Sequence, residues 1–209
     1  MCSSCASDPA TLRDGKAKDM ADADAAQTAL RALHEDVDRR AGALARRHAG
    51  RLRCGRGCAG CCRDDLTVFE VEAERIRRAH PQLLAEAAPH APGACAFLDE
   101  EGACRIYADR PYVCRTQGLP LRWLDEDGEG EVVEQRDICP LNEAGEPLEL
   151  LPADACWTLG DAEARLAALQ SAQDDGALRR VALRSLFRRT QKSASGARSE
   201  AKTSEGPLG

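Results

Sequence analysis

Four thiols fall within nine residues at Cys54-Gly-Arg-Gly-Cys58-Ala-Gly-Cys61-Cys62, and Cys95, Cys104, Cys114 and Cys139 follow downstream. Thiolates are the soft ligands that zinc and iron accept, and Cys-x3-Cys or Cys-x2-Cys loops containing glycine can fold two sulfurs onto one ion. These eight cysteines are the candidate metal ligands. Adjacent Cys61 and Cys62 point apart in most backbone conformations, so they suit two neighbouring sites, or one ligates while the other bridges or packs. Two four-thiolate ions, a bridged pair, or one four-cysteine iron–sulfur cluster with spare thiols all satisfy the count.

Arginines 53, 56, 63, 105, 110 and 115 lie near these cysteines in sequence. Guanidinium groups can offset the negative charge of a thiolate site, and Arg110 and Arg115 are read in that role. The competing reading pairs them with the acidic turn at Asp99, Glu100 and Glu101, or leaves them in water. Tyr107 is expected to pack against the cluster. Cys2 and Cys5 read as free thiols in a tail, and Cys156 as a buried thiol beside Trp157. The histidines 34, 48, 80 and 90 show no ligand spacing and read as structural, with His90 the one nearest a candidate ligand. No phosphate-cradling loop, serine triad or paired catalytic carboxylates appear, so a binding protein is expected rather than an enzyme acting alone.

Several elements must position the thiols. Ala26, Leu30, Leu33, Val37, Ala41 and Leu44 recur at three- and four-residue steps between Asp22 and Arg51, which predicts an amphipathic helix leading into the cluster. A short helix is expected over Glu70 to His80, ended or kinked by Pro81, then a loop over Ala87 to Gly93. Cys95 to Tyr107 reads as two short strands around an acidic turn, a geometry that would bring the Cys95 and Cys104 sulfurs near each other. Arg110-Pro111 opens a helical turn carrying Cys114. Leu119 to Trp123 and Glu131 to Gln135 flank a second turn. Spacing of apolar residues predicts two C-terminal helices, over Asp161 to Gln170 and Ala177 to Thr190, packed on the N-terminal helix. The expected division is a disordered tail at 1–20, a helix at 21–52, a metal-binding domain at 53–156, helices at 157–190 and a disordered tail at 191–209.

The chain has 209 residues and a formal net charge of −6, with 43% hydrophobic but only 3% aromatic residues. One main domain with appendages is the expectation, and a core poor in large side chains needs crosslinks. The N-terminus has no basic start or apolar run, so no secretory leader is expected and the location reads as cytoplasmic, where thiols stay reduced. The odd total of eleven cysteines also suits metal better than a full disulfide set. The acidic balance gives no strong nucleic-acid signal, and no membrane span is expected. A protein partner could dock on the N-terminal helix.

Taken in order, Cys54-x3-Cys58-x2-Cys61-Cys62, Cys95 and Cys104 around an acidic turn, and Tyr107-x2-Arg110-Pro111-x2-Cys114-Arg115 resemble the YkgJ family of cysteine-cluster proteins. The resemblance spans about Arg53 to Cys139 and implies chelation of zinc or iron; a related cluster is found in flagellin lysine methylases. The long N-terminal helix and the distant Cys139 and Cys156 depart from the family pattern. Cys54-x3-Cys58-x2-Cys61 also has the spacing of radical S-adenosylmethionine enzymes. Gly60, where those enzymes usually carry an aromatic, and the hairpin-like downstream segments oppose that reading. A thiol redox sensor or metal-transfer protein using Cys61-Cys62 is the remaining alternative. The fold expectation is α+β: a small metal-stapled cysteine-cluster domain with short hairpins between a long N-terminal helix and two C-terminal helices.

Overall fold

The computed structural model describes residues 9–187, with the side chains of 9–17 and 19 left aside. Helix α1 runs Pro9–Arg47, α2 Glu70–Ala79, α3 Pro81–Glu86, α4 Tyr112–Arg115 and α5 Asp161–Ser171. The strands are β1 Thr67–Phe69, β2 Leu121–Glu126, β3 Val132–Asp137, β4 Trp157–Thr158 and β5 Arg180–Ala182. The fold is α+β. No helix among the described residues is long and apolar enough to cross a membrane.

Helix α1 is the element whose pattern was plainest. Ala26, Leu30, Leu33, Val37 and Ala41 are all buried, forming one stripe of a 3.6-residue period. The helix spans 39 residues, about 58 Å at 1.5 Å per residue. It starts at Pro9, so the expected irregular tail over 1–20 is helical from that residue on; residues 1–8, with Cys2 and Cys5, and the expected tail over 191–209 lie outside the described residues. Arg46 and Arg47 occupy the last turn, where cations meet the negative helix end.

Two apolar cores meet at α2. On one side, the α1 stripe packs with Val71, Tyr112, Leu119, Trp157, Ala162 and Leu166. On the other, Ala73 and Ile76 pack with Val68, Leu84, Phe97, Leu98, Ile106, Leu183, Leu186 and Phe187. Buried Cys95 belongs to this second core, and Cys62 and Cys104 lie against it. Core side chains therefore surround the central segment despite the low aromatic content. Trp157 and Phe97 are each 1% exposed, so two of the largest rings lie fully inside.

Strands β3, β2 and β4 form one sheet in that order, β2 antiparallel to β3 and parallel to β4. The predicted second hairpin is β2–β3, with Leu121 opposite Asp137 and Glu126 opposite Val132. The predicted first hairpin is reduced to one bridge, Leu98 opposite Cys104. Its turn is held by Asp99, whose carboxylate accepts from the backbone of Glu101 and Ala103.

The second C-terminal helix, expected over Ala177 to Thr190, does not form over its described residues 177–187. Apolar residues of 177–190 have helical spacing, but Asp175, Gly176 and Leu178 adopt positive φ of 52°, 84° and 50°. The Asp174 carboxylate accepts from the backbone N–H of Leu178 and Arg179, fixing this turn. The chain then enters β5, antiparallel to β1 with Val68 opposite Val181, and a 3-10 turn at Leu183–Leu186. Partnering with a distant strand overrides local spacing here.

Candidate metal centre

The loop after α1 is fastened at its start. Buried Arg51 donates to the carbonyls of Asn142, Glu143 and Glu146. Two turns follow, Cys58 N–H to Gly55 O and Cys62 N–H to Ala59 O. Gly57 at φ +83° lies against the acidic turn: a Cβ there would meet Glu101 O at 3.5 Å, and one on Gly102 would meet Gly57 O at 3.4 Å. The cluster loop thus rests on the Asp99–Gly102 turn. Cys95 N–H donates to Cys62 O at 2.9 Å, which docks the next cysteine segment onto the doublet.

Five thiols influence one another from four separate segments. The Cys62 thiol donates to Cys61 and pulls Cys61 down to about 6. The same bond pushes Cys62 up, with burial and the fields of Cys61, Cys95 and Cys114 acting in the same direction. Burial raises Cys95, offset by a backbone hydrogen bond from Phe97 and by Arg184. Burial raises Cys104 too, with Cys95 adding to it and Arg110 and Arg105 opposing. Cys114, on α4, is pushed up to about 12 by burial and then by Cys95, Cys104, Glu72 and Cys61. Left to themselves, four of the five thiols hold their protons, and a thiophilic cation is the natural means of displacing them.

The other predicted ligands stand differently. Cys54 is exposed at residue level, yet its sulfur accepts from the side-chain amide of Asn142 at 3.3 Å. Cys58 is half-buried in the turn beside Gly57. Cys139 is half-buried at the start of the Pro140–Asn142 turn, where its carbonyl accepts from Asn142 N–H at 2.7 Å. None of these three is a leading influence on the five interacting thiols. Cys156 is buried with Leu148, Leu151 and Ala155 in a separate small cluster.

By donor type this set suits a soft cation: five thiols, three of them in or against an apolar core, with arginine fields nearby. By arrangement it is not yet a coordination shell. Among the described residues no group of three or more Cys, His, Asp or Glu side chains is placed to hold a metal ion.

Two expectations need correction. Arg115 turns away to Asp38 of α1 at 2.5 Å and to Ala108 O, so it fastens α4 to α1. Tyr107 is 65% exposed, with the Arg110 guanidinium 4.1 Å above its ring, and does not pack on the thiols. Arg110 also reaches Asp38 at 3.6 Å, while its field still reaches Cys104. The histidines are structural: His34 pairs with Glu72, His48 with Ala155 O, His80 with Asp109, and the His90 ring with Ala91 O.

Sequence reasoning missed Glu72, Arg184 and Asn142. Glu72, 4% exposed on α2, accepts from the N–H of Tyr112 at the start of α4 at 2.7 Å and so sets the helix that carries Cys114. Arg184 donates to the carbonyls of His90, Ala91 and Ala94, and it pairs with Asp64, clamping the segment that leads to Cys95. In sequence each looks like an ordinary surface residue, and no local signal separates them.

Residues 53–140 match the CxxCxxCC family, described as a putative zinc- or iron-chelating domain. No curated protein and no solved structure matches the chain.

Proposed function

Because residues 53–140 match the CxxCxxCC family, we propose that this protein chelates zinc or iron with Cys61, Cys62, Cys95, Cys104 and Cys114 as the inner thiols. Cys54, Cys58 and Cys139 complete the set of eight, which suits more than one ion or an iron–sulfur cluster. The observation that carries this reading is the Cys114 thiol, which feels Cys61, Cys95 and Cys104 from three other segments. Bound metal supplies a positive charge that stabilises thiolates and ties these segments together. The chain's own part is to deliver the sulfurs. The Asp99 turn carries Cys104, the Cys62 carbonyl docks Cys95, and Glu72 with Pro111 starts the turn that carries Cys114.

Full-length protein purified without oxygen, followed by elemental analysis and an absorption spectrum, separates colourless zinc from an absorbing iron–sulfur cluster. Cys114→Ser is expected to lower bound metal and destabilise the central segment while α1 stays helical. Full metal content in that variant would overturn the reading.

One observation favours a second reading. Neighbouring thiols that share a hydrogen bond, one of them pulled down to about 6, form a pair suited to thiol–disulfide chemistry or metal hand-over. Hydrogen peroxide treatment of the metal-free chain should then remove two hydrogens from the peptide containing Cys61 and Cys62, as read by mass; an unchanged mass would exclude the disulfide.

A further inference from the structure

We propose that Asn142 is a positioning residue for the metal–thiolate site, holding the Cys54 sulfur in a cradle that Gly118 completes. This rests on the reading of Cys54 as a ligand. Asn142 is 0% exposed and lies beyond the residues matched to the chelating family. Its Oδ1 accepts from Arg53 N–H at 2.8 Å, and its Nδ2 donates to Gly118 O at 2.8 Å and to Cys54 Sγ at 3.3 Å. Turning the amide over would face its NH2 to the Arg53 N–H and its oxygen to the Gly118 carbonyl, so its orientation is fixed by its partners. An exposed loop cysteine would ordinarily sample several rotamers. Here the sulfur is tied to a fully buried group.

Gly118 closes the other side. Its φ is +87°, and a Cβ there would sit 2.5 Å from Cys54 Sγ and 3.2 Å from Asn142 Nδ2. Such a contact requires the sulfur to move, so the space is shaped around it. Arg51, in the turn that follows α1, holds the Asn142 carbonyl, which ties the cradle to a segment outside the cysteine run. An N–H donor on a ligating sulfur orients it and stabilises its charge, and loss of such a partner typically lowers metal affinity about 10- to 100-fold. Asn142 acts through Cys54 and needs no contact with the ion.

The test is a double-mutant cycle on the full chain with zinc alone as probe, affinity being read by chelator competition. Asn142→Ala is expected to weaken binding by about 10-fold or more, Cys54→Ala likewise, and the double variant no further than Cys54→Ala. Losses that multiply would mean that Asn142 serves only the loop around it, and the proposal would fall. If Cys54→Ala bound zinc as the parent does, Cys54 would not be a ligand, and both the proposal and that part of the functional reading would fail. A measurement free of the Asn142 variant guards against misfolding. The Asn142 side-chain amide resonance is expected to shift on zinc loading of the parent and not of Cys54→Ala; equal shifts in both, or none in the parent, would overturn the proposal.

Discussion

Glu72→Ala tests whether a buried carboxylate far from Cys114 in sequence sets the geometry of that residue. Glu72 Oε1 faces two buried donors, the Tyr112 N–H at 2.7 Å and His34 Nε2 at 3.3 Å. Truncation strands both. Each buried donor left without a partner costs ~1–3 kcal/mol, so the pair costs about 2–6 kcal/mol, a large part of the ~5–15 kcal/mol that holds a typical domain. At ~2–4 °C per kcal/mol for a chain of this size, Tm should fall by about 4 °C or more. Glu72→Gln keeps an acceptor for Tyr112 and should lie at the low end of that range. Urea unfolding followed by tryptophan fluorescence reads the loss directly, because Trp157 is 1% exposed and packs in the core that contains Tyr112. Since Tyr112 begins α4, the loss should also reach the thiol. A local loss of ~2 kcal/mol raises the open population about 30-fold, and alkylation of Cys114 by iodoacetamide in metal-free protein should accelerate accordingly. A Tm unchanged within about 1 °C, with Cys114 alkylated at the parent's rate, would refute the reasoning.

Two further outcomes follow from the buried groups. Burial lowers the pKa of His34 below its ordinary 6.5, the Glu72 hydrogen bond opposing only in part, and His34 Nδ1 is buried without a partner. The unfolded chain therefore binds this proton more readily than the folded one. The stability from neutral His34 is complete above pH 6.5 and is lost as pH falls through the lower folded value. Urea midpoints should drop between about pH 7.5 and 5.5, and less steeply in His34→Gln; equal slopes would exclude His34 as the source. Cys156→Ala should leave metal content unchanged and alter stability by about 1 kcal/mol or less, because its thiol packs with Leu148, Leu151 and Ala155; lost metal on elemental analysis would contradict that placement.

Legibility in the sequence followed the range of each interaction. The α1 stripe from Ala26 to Ala41 was readable because a helix face repeats within four residues. The β2–β3 hairpin was readable because its turn residues lie between its own strands. Residues 177–187 were misread because their spacing is helical, while the outcome depended on an Asp174-fixed turn and on pairing with β1, over a hundred residues earlier. Arg115 was read beside the thiols, or else with the turn at Asp99, Glu100 and Glu101 or in water, yet it pairs with Asp38, on a helix remote in the chain.

The metal site divides in the same way. Sequence alone determined its chemistry, since thiol side chains at short glycine-containing spacings bring soft donors and little else. The turn between Cys95 and Cys104 was legible too, although its pairing is the single bridge of Leu98 to Cys104. Only the tertiary structure decided that Cys61, Cys62, Cys95, Cys104 and Cys114 form one interacting group while Cys54 sits with Asn142 and Gly118, and Cys156 lies in another core. The physical reason is that donor chemistry is a property of single side chains, whereas the placement of their segments depends on Glu72, Arg51 and Asn142, whose buried hydrogen bonds join segments that local spacing cannot relate.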